Sequence, residues 1–153
     1  MRFKNLPKLP RSLLRVPRGV KRVNVADLKK DLTALGEEIA EEFRDKIESN
    51  IRENKYGFTL SDTTIRKKGH DIPLIDTGEL IDAIYQEGTE VSVEETQRSD
   101  SDLTNKQLAI VHEYGVKDKG IPARPVWRKT FEEFRPVAEK RVRTFLKQHK
   151  LKK

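Results

Sequence analysis

The sequence predicts one domain of mixed helix and strand, with helix in the majority. Leu28, Leu32, Leu35, Ile39, Phe43, Ile47 and Ile51 recur at steps of three or four, which sets them on one face of a helix of about seven turns. Trp127, Phe131, Phe134, Val137, Val142, Phe145 and Leu146 form a second long apolar side near the C-terminus. Between them Thr89, Val91 and Val93 alternate with Glu90, Ser92 and Glu94, the two-residue period of a strand with one wet face.

A chain of 153 residues fits one domain with a modest core. Charged residues (37%) outnumber hydrophobic ones (35%), so part of the chain is expected to lie outside any core, on partner surfaces or as free ends. The absence of cysteine rules out disulfides, thiolate zinc sites and thiol nucleophiles. No apolar run approaches the roughly 20 residues that span a bilayer. Met1–Arg11 carries charges and prolines where a signal peptide needs an apolar stretch, so a soluble protein made in the cytoplasm, with no membrane partner, is expected.

Charge divides the chain. Arg2, Lys4, Lys8, Arg11, Arg15, Arg18, Lys21 and Arg22 stand without an acid in residues 1–25, and residues 137–153 hold seven basic residues against Glu139. The net charge of +7 therefore leaves about −7 on residues 26–136, an acidic body between basic ends. Residues 1–25 also hold Pro7, Pro10 and Pro17 with Phe3, Leu6, Leu9, Leu13, Leu14 and Val16, and read as an extended basic arm that docks on a partner. The division is thus an arm at 1–25, one domain at 26–149 and a basic tail at 150–153.

Within the domain Asn24 caps the long helix, and Asn54 with Gly57 ends it. Ser61 caps a short helix that stops at Gly69. Another starts after Asp76 or Thr77: Asp76 and Glu79 have capping-box spacing, Leu80, Ile81 and Ile84 supply an apolar side, and Ile75 could staple onto it. Glu94 to Asn105 is polar and predicts an exposed, mobile loop. Leu108, Val111, His112 and Tyr114 give a helical pattern closed by Gly115. Pro122 and Pro125 then enforce extended backbone, Pro125 opens the last helix, and Pro136 is expected to kink or divide it.

Catalytic chemistry finds little support. His112-Glu113 lacks the second histidine of a zinc helix, since position 116 is Val116. His70, Asp71 and Asp76 read better as a polar loop than as a divalent-ion site, and Ser61 and Thr77 better as caps than as nucleophiles. No catalytic, metal or cofactor residue is assigned, and His112 is expected at a subunit contact. Arg124, held between Ala123 and Pro125, suits an ion pair with a carboxylate inside or between subunits. The arm lacks the aromatic surface of a single-strand binder, although non-specific contact with DNA remains compatible with its charge.

Three segments in one order resemble the tail-completion and neck proteins of tailed phages, a group that includes the Mu-type virion morphogenesis proteins. They are Leu60-Ser61-Asp62-Thr63-Thr64-Ile65-Arg66-Lys67-Lys68, Pro73-Leu74-Ile75-Asp76-Thr77-Gly78-Glu79-Leu80-Ile81-Asp82-Ala83-Ile84, and His112-Glu113-Tyr114-Gly115 with Ile121-Pro122-Ala123-Arg124-Pro125-Val126-Trp127. The position after the Arg-Pro pair is often Phe in that family and is Val126 here.

The resemblance covers residues 58–135 and excludes the arm and the tail. It implies an α+β fold with a small antiparallel sheet of three or four strands packed against long helices, drawing on Tyr85 to Glu94 and on Lys119 to Arg124. It also implies a structural, non-enzymatic role in a homo-oligomeric ring of six or twelve copies. Such a ring would join the tail to the DNA-filled head in the virion, between neck, connector and tail proteins, with a lumen that gives the basic ends a use. Arg2, Lys4, Arg11, Arg15, Arg18, Lys21, Arg22, His112 and Arg124 are the expected interface residues. Asp76, Thr77, Gly78, Gly115, Pro122, Pro125 and Trp127 are the expected structural ones. The competing readings are a nucleic-acid-binding accessory protein and a hydrolase built around His70 or His112.

Overall fold

The computed structural model describes residues 24–149; the arm up to residue 23 and the tail from residue 150 lie outside the described residues. Helix α1 spans Val25–Arg52, and the Asn24 side chain accepts the Ala26 N–H as expected. Val25, assigned to the arm from the sequence, is the first helical residue. The expected apolar stripe buries its C-terminal half most deeply, with Phe43, Ile47 and Ile51 in the core.

Helix α2, Asp62–Lys68, is capped by Ser61, which accepts from the Thr64 N–H, and ends on Gly69 at φ +77°. Helix α3 is a single turn, Glu79–Asp82. Its N-cap is Gly78 at φ +92°, not Asp76 or Thr77, and Thr77 Oγ1 accepts only a long contact of 3.4 Å from the Glu79 N–H. The capping box expected of Asp76 and Glu79 does not form, because the Glu79 carboxylate is taken by the backbone N–H and hydroxyl of Ser99. Ile84, expected on this helix, opens a strand instead.

Strands β1 (Ile84–Glu87) and β2 (Glu90–Val93) pair antiparallel, with Ile84 opposite Val93 and Gln86 opposite Val91. Ile84, Val91 and Val93 face the core, and the Gly88-Thr89 turn abuts α1, where a Cβ on Gly36 would stand 2.7 Å from Thr89 Cγ2. The fold is α+β, a small antiparallel sheet packed against long helices. The sheet has two strands among the described residues rather than three or four, and the 119–124 region contributes only the isolated bridge Val116↔Ile121.

Helix α4, Asn105–Tyr114, starts at a capping box between Thr104 and Gln107 and stops at Gly115. Helix α5, Val126–Gln148, runs through Pro136 as one continuous helix, with the proline on its exposed side. It lies antiparallel along α1: Asn50 reaches Thr130, Phe43 meets Phe131 and Phe134, and Arg141 pairs with Glu38 and Glu42. The innermost residues of α5 are Val126 and Thr130, whereas Phe131 and Val137 are substantially exposed.

Candidate functional site

The three sequence segments meet at one cleft of about 720 Å³. Leu60, Ser61, Thr64 and Lys68 come from the first, Leu74, Asp76, Gly78 and Leu80 from the second, and His112, Ile121, Pro122 and Arg124 from the third. Arg98 and Asp100 complete it from the segment between β2 and α4.

Arg124 reaches the cleft because the chain turns back tightly after α4. A short 3₁₀ turn at Lys117–Lys119 folds Ile121 against Val116, and the Arg124 N–H donates to the His112 carbonyl. Gly115 makes that return possible: it sits at φ +70°, and a Cβ there would stand 2.6 Å from the Ile121 oxygen and 2.7 Å from the Ala123 nitrogen. Pro122 follows the bridged Ile121, and Pro125 stands at the N-cap of α5 with ψ 68°, short of extended backbone. The Arg124 guanidinium donates to the Thr59 carbonyl at 3.2 Å, and its Nε is buried without a partner. Among the described residues no carboxylate pairs with Arg124, which leaves a partner in a neighbouring subunit as the open half of the expectation.

The segment from Glu94 to Asn105 is mostly exposed, as expected, but Arg98 within it is not. Its side chain is only 4% exposed, pairs with Asp100 at 2.7 Å and donates to Asn105 Oδ1 at 3.2 Å. The loop around it is pinned by the Gln97↔Thr104 bridge and by the Asn105 amide on Thr96 Oγ1. The hydrogen bond from Arg98 holds the Asp100 carboxyl below its ordinary range. Lys68 donates to the Ile75 carbonyl; burial lowers its pKa, opposed by nearby Asp76.

His112 is half-buried beside these cations. Burial first, then the charges of Arg124, Lys68 and Arg98, push its pKa down to about 4, so the ring is neutral at pH 7. Its Nδ1 has no hydrogen-bond partner. Burial likewise lowers the Arg124 pKa, from a value so high that the guanidinium stays charged.

The other expected residues divide. Trp127 packs half-buried against the core, and Asp76 lines the cleft without capping a helix. Glu113, adjacent to His112, is a buried cap that accepts the Trp127 and Arg128 N–H groups at the start of α5. Among the described residues no three His, Asp or Glu side chains gather as a cation site, and His70, Asp71 and Asp76 do not group. Arg2, Lys4, Arg11, Arg15, Arg18, Lys21 and Arg22 fall outside the described residues. Lys68 and Arg98 were missed from the sequence: a Lys ends the Leu60–Lys68 segment, but nothing near Arg98 signals its burial.

A second surface is apolar. Val91, Val93, Ala109, Ile110, Tyr114 and Trp127 line a hollow of about 240 Å³, with Ile110 53% and Tyr114 55% exposed. No helix among the described residues is long and apolar enough to cross a membrane. No protein-family model matches the chain, and neither a curated protein nor a solved structure matches it.

Proposed function

We propose that this chain is a structural, non-enzymatic neck subunit of a tailed phage or prophage, which assembles as a ring and joins the tail to the DNA-filled head in the virion. The observation that supports it most is that the three segments resembling the tail-completion proteins, scattered over residues 60–127, fold into the walls of one cleft. The exposed Ile110 and Tyr114 beside Trp127 add an apolar surface of the kind that subunit contacts cover. In this reading the basic arm docks on neighbouring copies, whose acidic bodies complement it, and the lumen passes DNA without sequence preference.

The test is assembly. Purified full-length protein is mixed with head-free tails of its own phage and examined by native mass measurement and electron microscopy. Closed rings at the upper tail end are expected, and deleting residues 2–22 is expected to leave a folded domain that no longer completes infectious particles. A protein that ignores tails and binds duplex DNA as a monomer, with steep salt dependence, would instead be the nucleic-acid accessory protein.

A further inference from the structure

The cleft has a charge and a shape that select a particular kind of ligand. Among the described residues five buried side-chain atoms lack a hydrogen-bond partner, and three of them, Arg98 Nε, His112 Nδ1 and Arg124 Nε, belong to groups that line it. Buried polar groups are ordinarily satisfied, so three such atoms at one place point to something that binds there. Two of the three are guanidinium donors and call for an acceptor.

Among the groups lining the cleft, Lys68, Arg98 and Arg124 face Asp76 and Asp100, an excess of one positive charge. Glu79 stands 4.0 Å behind Arg98, where its charge offsets that excess although Ser99 hydrogen-bonds it. A dianion would therefore meet three carboxylates at close range, and the cleft takes at most a single negative charge, placed at Arg124, whose guanidinium meets only a backbone carbonyl among the described residues. Duplex phosphates are excluded by depth: DNA backbones are gripped by projecting side chains, and the Arg98 side chain is almost fully covered. Leu60, Leu74, Leu108 and Ile121 give the cleft apolar walls, which a bare ion would leave uncovered. Arg124 offers a planar fork suited to a carboxylate.

We propose that this cleft is a receptor for one carboxylate, an aspartate or glutamate side chain carried between apolar residues on a projecting segment of a protein partner. The carboxylate takes the free guanidinium donors of Arg124, beside the Arg98–Asp100 pair, and its flanking apolar side chains lie on the leucine walls. His112, beside Arg124, becomes easier to protonate when the negative charge arrives. The inference rests on the cleft alone and is read with the isolated protein, so it stands or falls separately from tail joining.

Full-length protein labelled with ¹⁵N is titrated at constant ionic strength with N-acetyl-Leu-Glu-Leu-amide, with the Gln analogue and with inorganic phosphate. The arginine Nε–H and His112 ring resonances are followed. The Glu peptide is expected to shift Arg98, Arg124 and His112 together, to raise the His112 pKa, and to bind at least about tenfold tighter than the Gln peptide, the usual scale of a charged hydrogen bond. Arg124→Gln is expected to lose about tenfold in affinity, and Lys140→Gln, on the exposed side of α5, nothing. Arg124→Lys, which keeps the charge and loses the fork, is expected to fall between and serves if the Gln variant does not fold. Equal affinity for the two peptides, phosphate displacing the Glu peptide at lower concentration, or no shift with any probe would each overturn the proposal.

Discussion

Glu113, at the end of α4, accepts the backbone N–H of Trp127 at 3.1 Å, and its other oxygen takes that of Arg128 at 3.2 Å. Pro125 and Val126 open α5 without a side-chain cap of their own, so a residue from another helix satisfies two of its free N–H groups. Burial raises the Glu113 pKa, and the two backbone hydrogen bonds oppose the rise. Glu113→Ala is expected to destabilise the protein by about 2 kcal/mol, and Glu113→Gln, which keeps one acceptor, by about half of that. Urea unfolding midpoints of the two variants check the order; equal losses would mean that the side chain acts by packing alone.

The α1–α5 seam holds a buried polar pair. The Asn50 amide donates to Thr130 Oγ1 at 2.8 Å, and both residues lie in the core. Thr130→Val removes the acceptor and is expected to cost about 2 kcal/mol, leaving the amide only its 3.2 Å contact with the Tyr56 hydroxyl. Asn50→Leu combined with Thr130→Val removes both partners and is expected to recover most of that loss. Additive losses in the double-mutant cycle would count against the pair as the organising contact.

Two glycines differ in backbone conformation and in crowding. Gly120 at φ +64° and ψ 21° is left-handed helical and a Cβ there meets nothing within 4 Å, whereas Gly115 at φ +70° and ψ 176° sits in a region that essentially only glycine occupies. Gly120→Ala is therefore expected to cost about 1 kcal/mol, from φ alone. Gly115→Ala adds a clash with the Ile121–Ala123 backbone and is expected to cost about 3 kcal/mol or more, pulling Arg124 away from the cleft. Thermal melting distinguishes the two; similar shifts would mean that the strap yields freely.

The long elements were legible because one set of apolar residues both specifies the helix and buries it, as Phe43, Ile47 and Ile51 do on α1. Local capping was equally legible where a side chain acts on its own turn, as with Asn24 and Ser61. It failed at α3, where the Ser99 loop, twenty residues away, claims the Glu79 carboxylate and leaves Gly78 at the cap. The Thr104-to-Gln107 spacing could have marked the start of α4, three residues before the apolar pattern begins. Arg98 could not be foreseen. Its burial depends on Asp100, Asn105 and Glu79 arriving from three directions, and a polar stretch carries no periodicity that records this.

His112 is expected to make the fold sensitive to mild acid. Its pKa in the folded chain is about 4, set by burial and then by Arg124, Lys68 and Arg98, against the ordinary 6.5 of an exposed imidazole. Above 6.5 the ring is neutral in both states and contributes no pH dependence. Between 6.5 and 4 the unfolded chain binds a proton that the folded chain refuses, so stability falls as pH falls, and below 4 the penalty is complete. The full difference corresponds to about 3 kcal/mol. Asp100, whose carboxyl is held low by Arg98, loses its own contribution only at still lower pH, and the raised Glu113 carboxyl acts with the opposite sign. His112→Gln removes the imidazole and leaves those carboxyls in place, so the difference between the two proteins isolates the histidine. Urea unfolding at pH 7, 5.5 and 4.5 is expected to show the native protein losing ground to the variant at each step down. Parallel curves would mean that His112 opens to solvent and is protonated without cost, in which case the cleft is looser than its geometry implies.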